Sequence, residues 1–549
     1  MPRATGEGGD HGGELSMPRV DEALALALAA VTILSRVPFR ARLLPTWDAV
    51  QFALALEKYD IVSHQPHPPG YILYVGAAQA VEALLGDATL SFVWLAIMAS
   101  GAAVFFVYRL AWMLYGRLPA VLAAVGLAAS PLYWIYGEVG LPYAVEAALA
   151  SAVAMLTWPA RCGRARFVLW SALALGVAGG VRQSLLPLLF PLWVGMAWAG
   201  MRRWTPLIVG AVVMAMTSLL WFAPMVWLAG GSRRYFDASR ELFDSTVRPT
   251  TVMGSPGAWM GNLGAVLEAL VLGLGLLLPV MIWILARRGL RGWKAREWFL
   301  AAWILPPLGV YIGVHFGQYA YLLTVLPALY ILIAPGLATA IASPAGRRSL
   351  RWTATAALAG VLLAHGAFVV SAAPINVPEI GGDSSWAERQ LAAARALYRY
   401  RLWAHTVPGL REQEGIVISY TEAIRRDFDP ADTVIVAELG NPRSYPWFRH
   451  VTYYLPEFRA CHLRLAPWSP GYLDSARLTS MAARVDDRIL LGPRVRHLVW
   501  MVDRWHPAVP RPPGLRERPL PYGRWLYVLD LDGRPVEHAG YRFTSPDLR

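Results

Sequence analysis

The chain has 549 residues, 56% hydrophobic and 16% charged, with a mean hydropathy of +0.40. That charged fraction lies well under the roughly 25% of soluble domains, and the apolar residues gather in long blocks up to Ala373, which excludes a wholly soluble protein. The net charge of +13 does not mark a nucleic-acid binder, because the arginines cluster between apolar blocks and the many Trp and Tyr suit interfacial belts.

In chain order, residues 1–20 are Gly-rich and polar and read as a disordered tail. The apolar block 21–39 has two readings: a cleaved signal peptide, since Ala-rich small-residue sites are present, or a retained first helix, favoured because no crisp cleavage site precedes a mature soluble sequence. Short basic connections follow at 109–117, 161–166, 202–203, 287–296 and 347–351. If all are cytoplasmic, the apolar blocks between them cross the bilayer in pairs. About eleven transmembrane helices result, near 22–39, 88–108, 118–136, 142–160, 167–182, 184–200, 205–229, 263–286, 298–314, 319–342 and 352–373. Segment 70–86 is short for a span and carries Gln79 and Glu82, so it is expected along the outer interface.

The odd count places the N-terminus in the cytoplasm and the C-terminus outside a plasma or inner membrane. The domains are then a tail (1–20), a membrane domain (21–373) with a first external loop (40–87), and an external soluble domain (374–549). The soluble part suggests a small α/β fold, with a helix over 384–405 and buried strands at 433–437, 498–501 and 525–529. Cys162 and Cys461 fall on opposite sides, so no disulfide is expected.

The densest polar stretch runs from Thr46 to Tyr74, where Asp48, Glu57, Lys58, Asp60, His64 and His67 interrupt an apolar chain. A membrane protein places ionisable groups this closely where it handles a polar substrate. Asp48 has two readings: the cap of a helix starting near Ala49, or a general base or metal ligand. His64 and His67 bracket Gln65-Pro66 and precede Pro68-Pro69, so stiff backbone presents both imidazoles; the plainer reading is an interfacial turn.

Glu138 reads either as an ordinary exposed loop acid or as the second carboxylate of a pair with Asp48. Such a pair suits a divalent cation, Mg or Mn, or split acid and base roles. Arg182 lies at an outer helix junction against the positive-inside trend, as do Arg233, Arg234, Arg240 and Arg248 in the polar loop 230–262. Guanidinium groups fit phosphate; the alternative is snorkelling to headgroups.

The run WDAVQFALALEKYDIVSHQPHPPGYILYV resembles the first external loop of C-type (GT-C) membrane glycosyltransferases. The group it suggests is the bacterial relatives of protein O-mannosyltransferases (glycosyltransferase family 39) and the lipid A aminoarabinose transferase. SPLYWIYGEV (130–139), GGVRQS (179–184), YLLTVLP (321–327) and RHVTYYLPE (449–457) are weaker echoes.

The resemblance implies a transferase that uses a polyprenyl-phosphate-linked sugar on the external side of the membrane. Asp48 would be the catalytic base, Glu138 a second external acid and His67 a contact to the donor phosphate. His64 and Arg182 join the phosphate set, and Tyr71 and Gln318 the substrate-binding set. Two departures stand out: Gln318-Tyr319-Ala320-Tyr321 replaces the family's Arg-Tyr, and the turn carries two histidines. The expected partners are the lipid-linked sugar, membrane lipids and an acceptor that is a protein, a lipid or a polysaccharide. A transporter or flippase of a polar lipid is the competing reading; it calls for midplane charges and symmetric halves, which this sequence lacks.

Overall fold

The computed structural model describes residues 17–545 except 290–291, 343–347, 379–383, 441–444, 446, 466–469, 506–508 and 533. Most of the expected N-terminal tail and parts of the basic connections 287–296 and 347–351 lie outside the described residues. The chain divides into two compact units: residues 1–40, 93–220 and 249–372, and residues 41–92, 221–248 and 373–549.

The helices in chain order are α1 (Arg19–Arg36), α2 (Trp47–Glu57), α3 (Ile72–Leu85), α4 (Ala88–Tyr115), α5 (Arg117–Ala129), α6 (Pro131–Tyr136), α7 (Tyr143–Thr157), α8 (Ala165–Val181) and α9 (Leu185–Met201). They continue as α10 (Trp204–Leu228), α11 (Ser232–Leu242), α12 (Ala258–Leu274), α13 (Leu277–Arg288), α14 (Ala295–Gly313), α15 (Leu326–Ile341) and α16 (Arg348–Ser371). Three more, α17 (Trp386–Leu397), α18 (Val407–Asp427) and α19 (Phe448–Tyr454), follow.

Among the described residues, five helices are long and apolar enough to cross a membrane, or up to six if the pair α12–α13, bent by 104°, is one span. The α10 helix leaves Ile208, Met216, Leu219 and Leu220 exposed, a surface stable in hydrocarbon and costly in water. The protein is a membrane protein.

The expectation of about eleven spans meets shorter helices in several places, for identifiable reasons. Expected span 118–136 breaks at Ser130-Pro131, where Ser130 caps α6 with Pro131 as its first residue. The ring of Pro131 lacks an N–H and stops continuation of α5. Expected span 319–342 begins as a 3-10 turn, Tyr319–Thr324, before α15. Loop 230–262 is largely helical, with α11 continuing into a π-turn at Phe243–Val247.

The first unit closes around α1 by a buried acid. Asp21 takes both Nε and Nη2 of Arg117 at 2.7 and 2.8 Å, and the Tyr108 hydroxyl at 2.9 Å. Its bidentate geometry fixes α1 against the α4–α5 junction. Helices α5 and α15 approach closely because position 126 is glycine; a Cβ there would lie 2.7 Å from the Tyr330 ring.

The C-terminal part of the second unit is a sandwich. Its strands are β1 (Thr433–Leu439), β2 (Arg459–Arg464), β3 (Gly471–Asp474), β4 (Arg488–Leu490), β5 (His497–Met501), β6 (Arg516–Leu520), β7 (Arg524–Asp530), β8 (Val536–His538) and β9 (Tyr541–Thr544). A mixed sheet runs β3-β2-β1-β5-β7-β6, and a small one runs β4-β9-β8. The β1 strand pairs in parallel with both β2 and β5, and its central residues 434–437 form a buried apolar run, as strands covered on both faces do.

Strand period 2 sends its residues to two cores. Ile435 and Ala437 pack with Tyr420 and Ile424 of α18 and Phe448 of α19. Val434 and Val436 pack with Trp500 and, from the second sheet, Ile489 and Phe543. The expected strands at 433–437, 498–501 and 525–529 are β1, β5 and β7. The expected helix 384–405 is α17 followed by a π-turn and a 3-10 turn. Both cysteines are free thiols.

Two histidines in this sandwich are buried uncharged. Burial pushes His450 down to about 4, and burial with Arg464 and Arg449 nearby pushes His462 down to about 3. In the unfolded chain both titrate near 6.5, so below that pH the unfolded state binds protons that the folded state refuses. Stability is therefore full above about pH 6.5 and is lost as pH falls toward 4, by roughly 3 kcal/mol per ring. Amide exchange of β1 and β2 in the whole protein is expected to quicken progressively from pH 6.5 to 4.5, after correction for intrinsic rates. A flat corrected profile over that range would rule this out.

Candidate active site

The second unit builds its site on α2. Thr46 is the true N-cap, its hydroxyl accepting from the Ala49 N–H at 3.3 Å. Asp48 lies inside the first turn, so the reading of Asp48 as the cap is corrected: the neighbouring threonine does that work. The helix N-terminus still favours a carboxylate there. Asp48 and Gln51 are three residues apart and share a helix face.

His67 meets both. Its Nδ1 lies 2.9 Å from the Gln51 amide oxygen and 3.9 Å from Asp48 Oδ1, and its Nε2 lies 3.3 Å from the Tyr71 hydroxyl. In the neutral ring this network fits Nδ1–H donating to Gln51 and Nε2 accepting from Tyr71. Phe52 packs edge-on to Tyr71 at 5.0 Å and beside the His67 ring at 5.5 Å, so the imidazole is held on three sides.

The turn that delivers His67 is rigid. Both Gln65-Pro66 and Pro68-Pro69 are cis, and His64 and Tyr71 adopt left-handed backbone. Gly70 has a φ of +116°, and a Cβ there would lie 2.7 Å from Ile61 and Met225, so only glycine fits. Asp60 caps the preceding 3-10 turn by accepting from Val62 N–H, Ser63 N–H and the Ser63 hydroxyl. Arg449 donates to the Ser63 carbonyl from the sandwich side. His64 is buried, and burial with His67, Arg449 and Arg464 nearby pushes it well below the usual range, so it is neutral at pH 7 and offers hydrogen bonds without charge.

The first unit contains two buried couples of arginine and carboxylate. Arg182 follows α8 in extended conformation and places Nη1 2.8 Å from Glu146 Oε2. Its guanidinium also lies 4.1 Å from the Tyr321 ring centroid and 5.3 Å from that of Tyr143. Gln318 opens the turn that carries Tyr321, its carbonyl accepting the Tyr321 N–H. The snorkelling reading of Arg182 is thereby corrected, since the side chain is buried and paired.

Glu138 is fully buried, within electrostatic reach of Arg36, which lies 4.0 Å from the Trp134 ring centroid and donates to the Ala128 carbonyl. The reading of Glu138 as an exposed loop acid is overturned: its turn folds inward between α6 and α7. Arg233 and Arg248 form exposed pairs with Asp237 and Asp244, four residues away on their own helical turns. Exposed to solvent, such pairs contribute little to stability.

Among the described residues, no group of three or more His, Cys, Asp or Glu is placed to hold a metal ion. Asp48 and Glu138 belong to different units, and His67 Nδ1 lies 3.9 Å from Asp48.

Two residues of these clusters escaped the sequence reading. Gln51 was marked only by its spacing from Asp48 on an otherwise apolar helix. Glu146 was marked by being an acid inside an apolar span, itself a signal of a specific partner.

No protein-family model matches the chain, and no curated protein matches it. Among solved structures, ArnT from Cupriavidus metallidurans bound to undecaprenyl phosphate is similar with a TM-score of 0.53 and 13% identity, covering 92% of this chain and 97% of that one. ArnT from the same organism in the apo state is similar with a TM-score of 0.51 and 15% identity over the same shares. The chain therefore shares the fold of these two ArnT structures, with apolar helices and a sheet-containing C-terminal region; the expected count of about eleven spans is not part of that agreement.

Proposed function

We propose that this protein is a membrane glycosyltransferase that moves a sugar from a polyprenyl-phosphate carrier to an acceptor hydroxyl on the external face of the membrane. The observation that carries the reading is the Asp48–Gln51–His67–Tyr71 constellation at the start of α2, in a chain whose fold resembles a protein crystallised with undecaprenyl phosphate.

Asp48 acts as general base and takes the proton of the attacking hydroxyl, which displaces the carrier phosphate from the anomeric carbon in line and inverts it. Proton removal at the moment of attack is worth typically 10²–10⁴ in rate. On donor binding, His67 keeps Nδ1–H on Gln51 and exchanges the Tyr71 contact for the donor phosphate, to which Nε2 donates as the imidazolium N–H. His64 supports that turn as a neutral donor. Arg182, held by Glu146 and Tyr321, is the candidate for a further phosphate contact, and Glu138, within electrostatic reach of Arg36, is the candidate second acid. Apolar helices accommodate the prenyl chain, which needs contact area and not specific chemistry.

The test is reconstitution in liposomes with a polar-lipid extract of bacterial membranes, followed by mass spectrometry. Protein-dependent conversion of a polyprenyl-phosphate sugar to polyprenyl phosphate is expected. An unchanged pool with movement of lipid between leaflets would support a flippase instead.

A further inference from the structure

The second unit contains a pocket of about 300 Å³ that the reaction scheme above leaves unused. It begins at Pro45 and Thr46, immediately ahead of Asp48, and its far walls come from the π-turn after α17, from α18 and from the loops around β5 and β7. Its volume lies at the small end of ligand pockets, the size class of a single sugar ring with its immediate substituents.

Its chemistry is divided. One wall is aromatic: Tyr400, which is 64% exposed, and Tyr445, with Trp403 and Trp447 behind them. The other wall is polar and pre-arranged. Asp503 accepts from the Tyr445 N–H at 3.1 Å and from Trp447 Nε1 at 3.3 Å, and lies 3.2 Å from Arg524. Arg399 and Glu412 form an ion pair, and Gln413 adds an amide. Paired charges present fixed donors and acceptors at a smaller desolvation cost than lone ones. A prenyl chain would bury these groups with nothing to bond, whereas a ring of hydroxyls has a polar edge and an apolar C–H face to match both walls.

The pocket also borders the N-terminus of α2, the turn that carries Asp48. The Tyr445 hydroxyl accepts the Trp47 N–H at 2.7 Å, and Asp48 and Asp503 both act on that phenol electrostatically. Tyr445 thus ties the pocket to the helix turn that carries the carboxylate.

We propose that this pocket is the acceptor site and seats a pyranose ring of a carbohydrate acceptor, with the attacking hydroxyl directed toward Asp48. The assignment rests on the glycosyltransferase reading. It narrows the acceptor to a saccharide, free or lipid-borne.

The probes are methyl α-mannopyranoside and methyl β-glucopyranoside, followed by saturation-transfer NMR on the full-length protein in detergent. Tyr400→Ala and Gln413→Ala are the variants; the first removes an exposed ring and the second a polar contact, each away from the sandwich core. Wild type is expected to bind at least one glycoside, and each variant to bind it about tenfold more weakly, the worth of one such contact. Lipid co-purifying with the variants is expected to be unchanged.

No glycoside binding to wild type, or equal binding by all three proteins, would overturn the proposal. If polyprenyl phosphate still co-purified in that case, the pocket assignment alone would fall and the function would stand. Loss of a sugar-bearing lipid from the variants would assign the ring to the donor and overturn the acceptor assignment.

Discussion

Asp48→Asn is expected to lower the turnover of polyprenyl-phosphate sugar by 10²–10⁴-fold while leaving the protein folded. The first part follows from the chemistry: an amide cannot accept the acceptor's proton, and losing a general base raises the barrier by about 3–5 kcal/mol. The second follows from the structure. Thr46, not Asp48, caps α2, so the cap survives; the substitution weakens a carboxylate–dipole interaction of about 0.3–1 kcal/mol and leaves a polar amide of the same size facing His67. His67 keeps its contacts to Gln51 and Tyr71. The readout is conversion in reconstituted liposomes beside a melting curve of the same preparation. Full activity in a folded Asp48→Asn protein would remove Asp48 from the mechanism.

The second large effect is on stability. Arg182→Ala removes the partner of Glu146, which lies inside α7 and is fully buried. An uncompensated buried charge costs about 3–5 kcal/mol, and the contact of the guanidinium with Tyr321 is lost as well. Glu146→Gln is expected to destabilise less, because the amide oxygen still accepts from Arg182. The double variant Arg182→Met, Glu146→Leu is expected to recover most of the loss, since both charges leave together. Thermal unfolding in detergent checks the order. If Arg182→Ala melted with the wild type, or the double variant were less stable than Arg182→Ala, the couple would not act as described.

How far the fold and the site were legible follows from the range over which each signal acts. Helices such as α4, α8, α9 and α10 were visible because long apolar runs between arginine clusters are a local signal. The same is true of β1, β5 and β7, whose Val, Ile, Leu and Trp have few other uses in a polar domain. The small sheet β4-β9-β8 was not legible, because strands of three or four residues show no periodicity above that of a loop.

In the site, the cis-proline turn was readable as stiff, and Asp48 stood out by its neighbours. What was hidden were partnerships across long stretches of chain. Glu146 and Arg182 are 36 residues apart, and Arg449 reaches back to Ser63 across 386. No local pattern encodes such pairs. One of the two readings of Glu138 was an exposed acid, because loops usually are; its buried place within electrostatic reach of Arg36, an α1 residue, has no local signature.

The most direct measurement is mass spectrometry of the lipid that co-purifies with detergent-extracted wild type and Asp48→Asn. The account predicts polyprenyl phosphate in the wild type and its sugar adduct enriched in the variant, where the donor binds and transfer stalls. The mass of that adduct identifies the sugar. Ordinary phospholipid alone in both preparations would contradict a polyprenyl-phosphate donor.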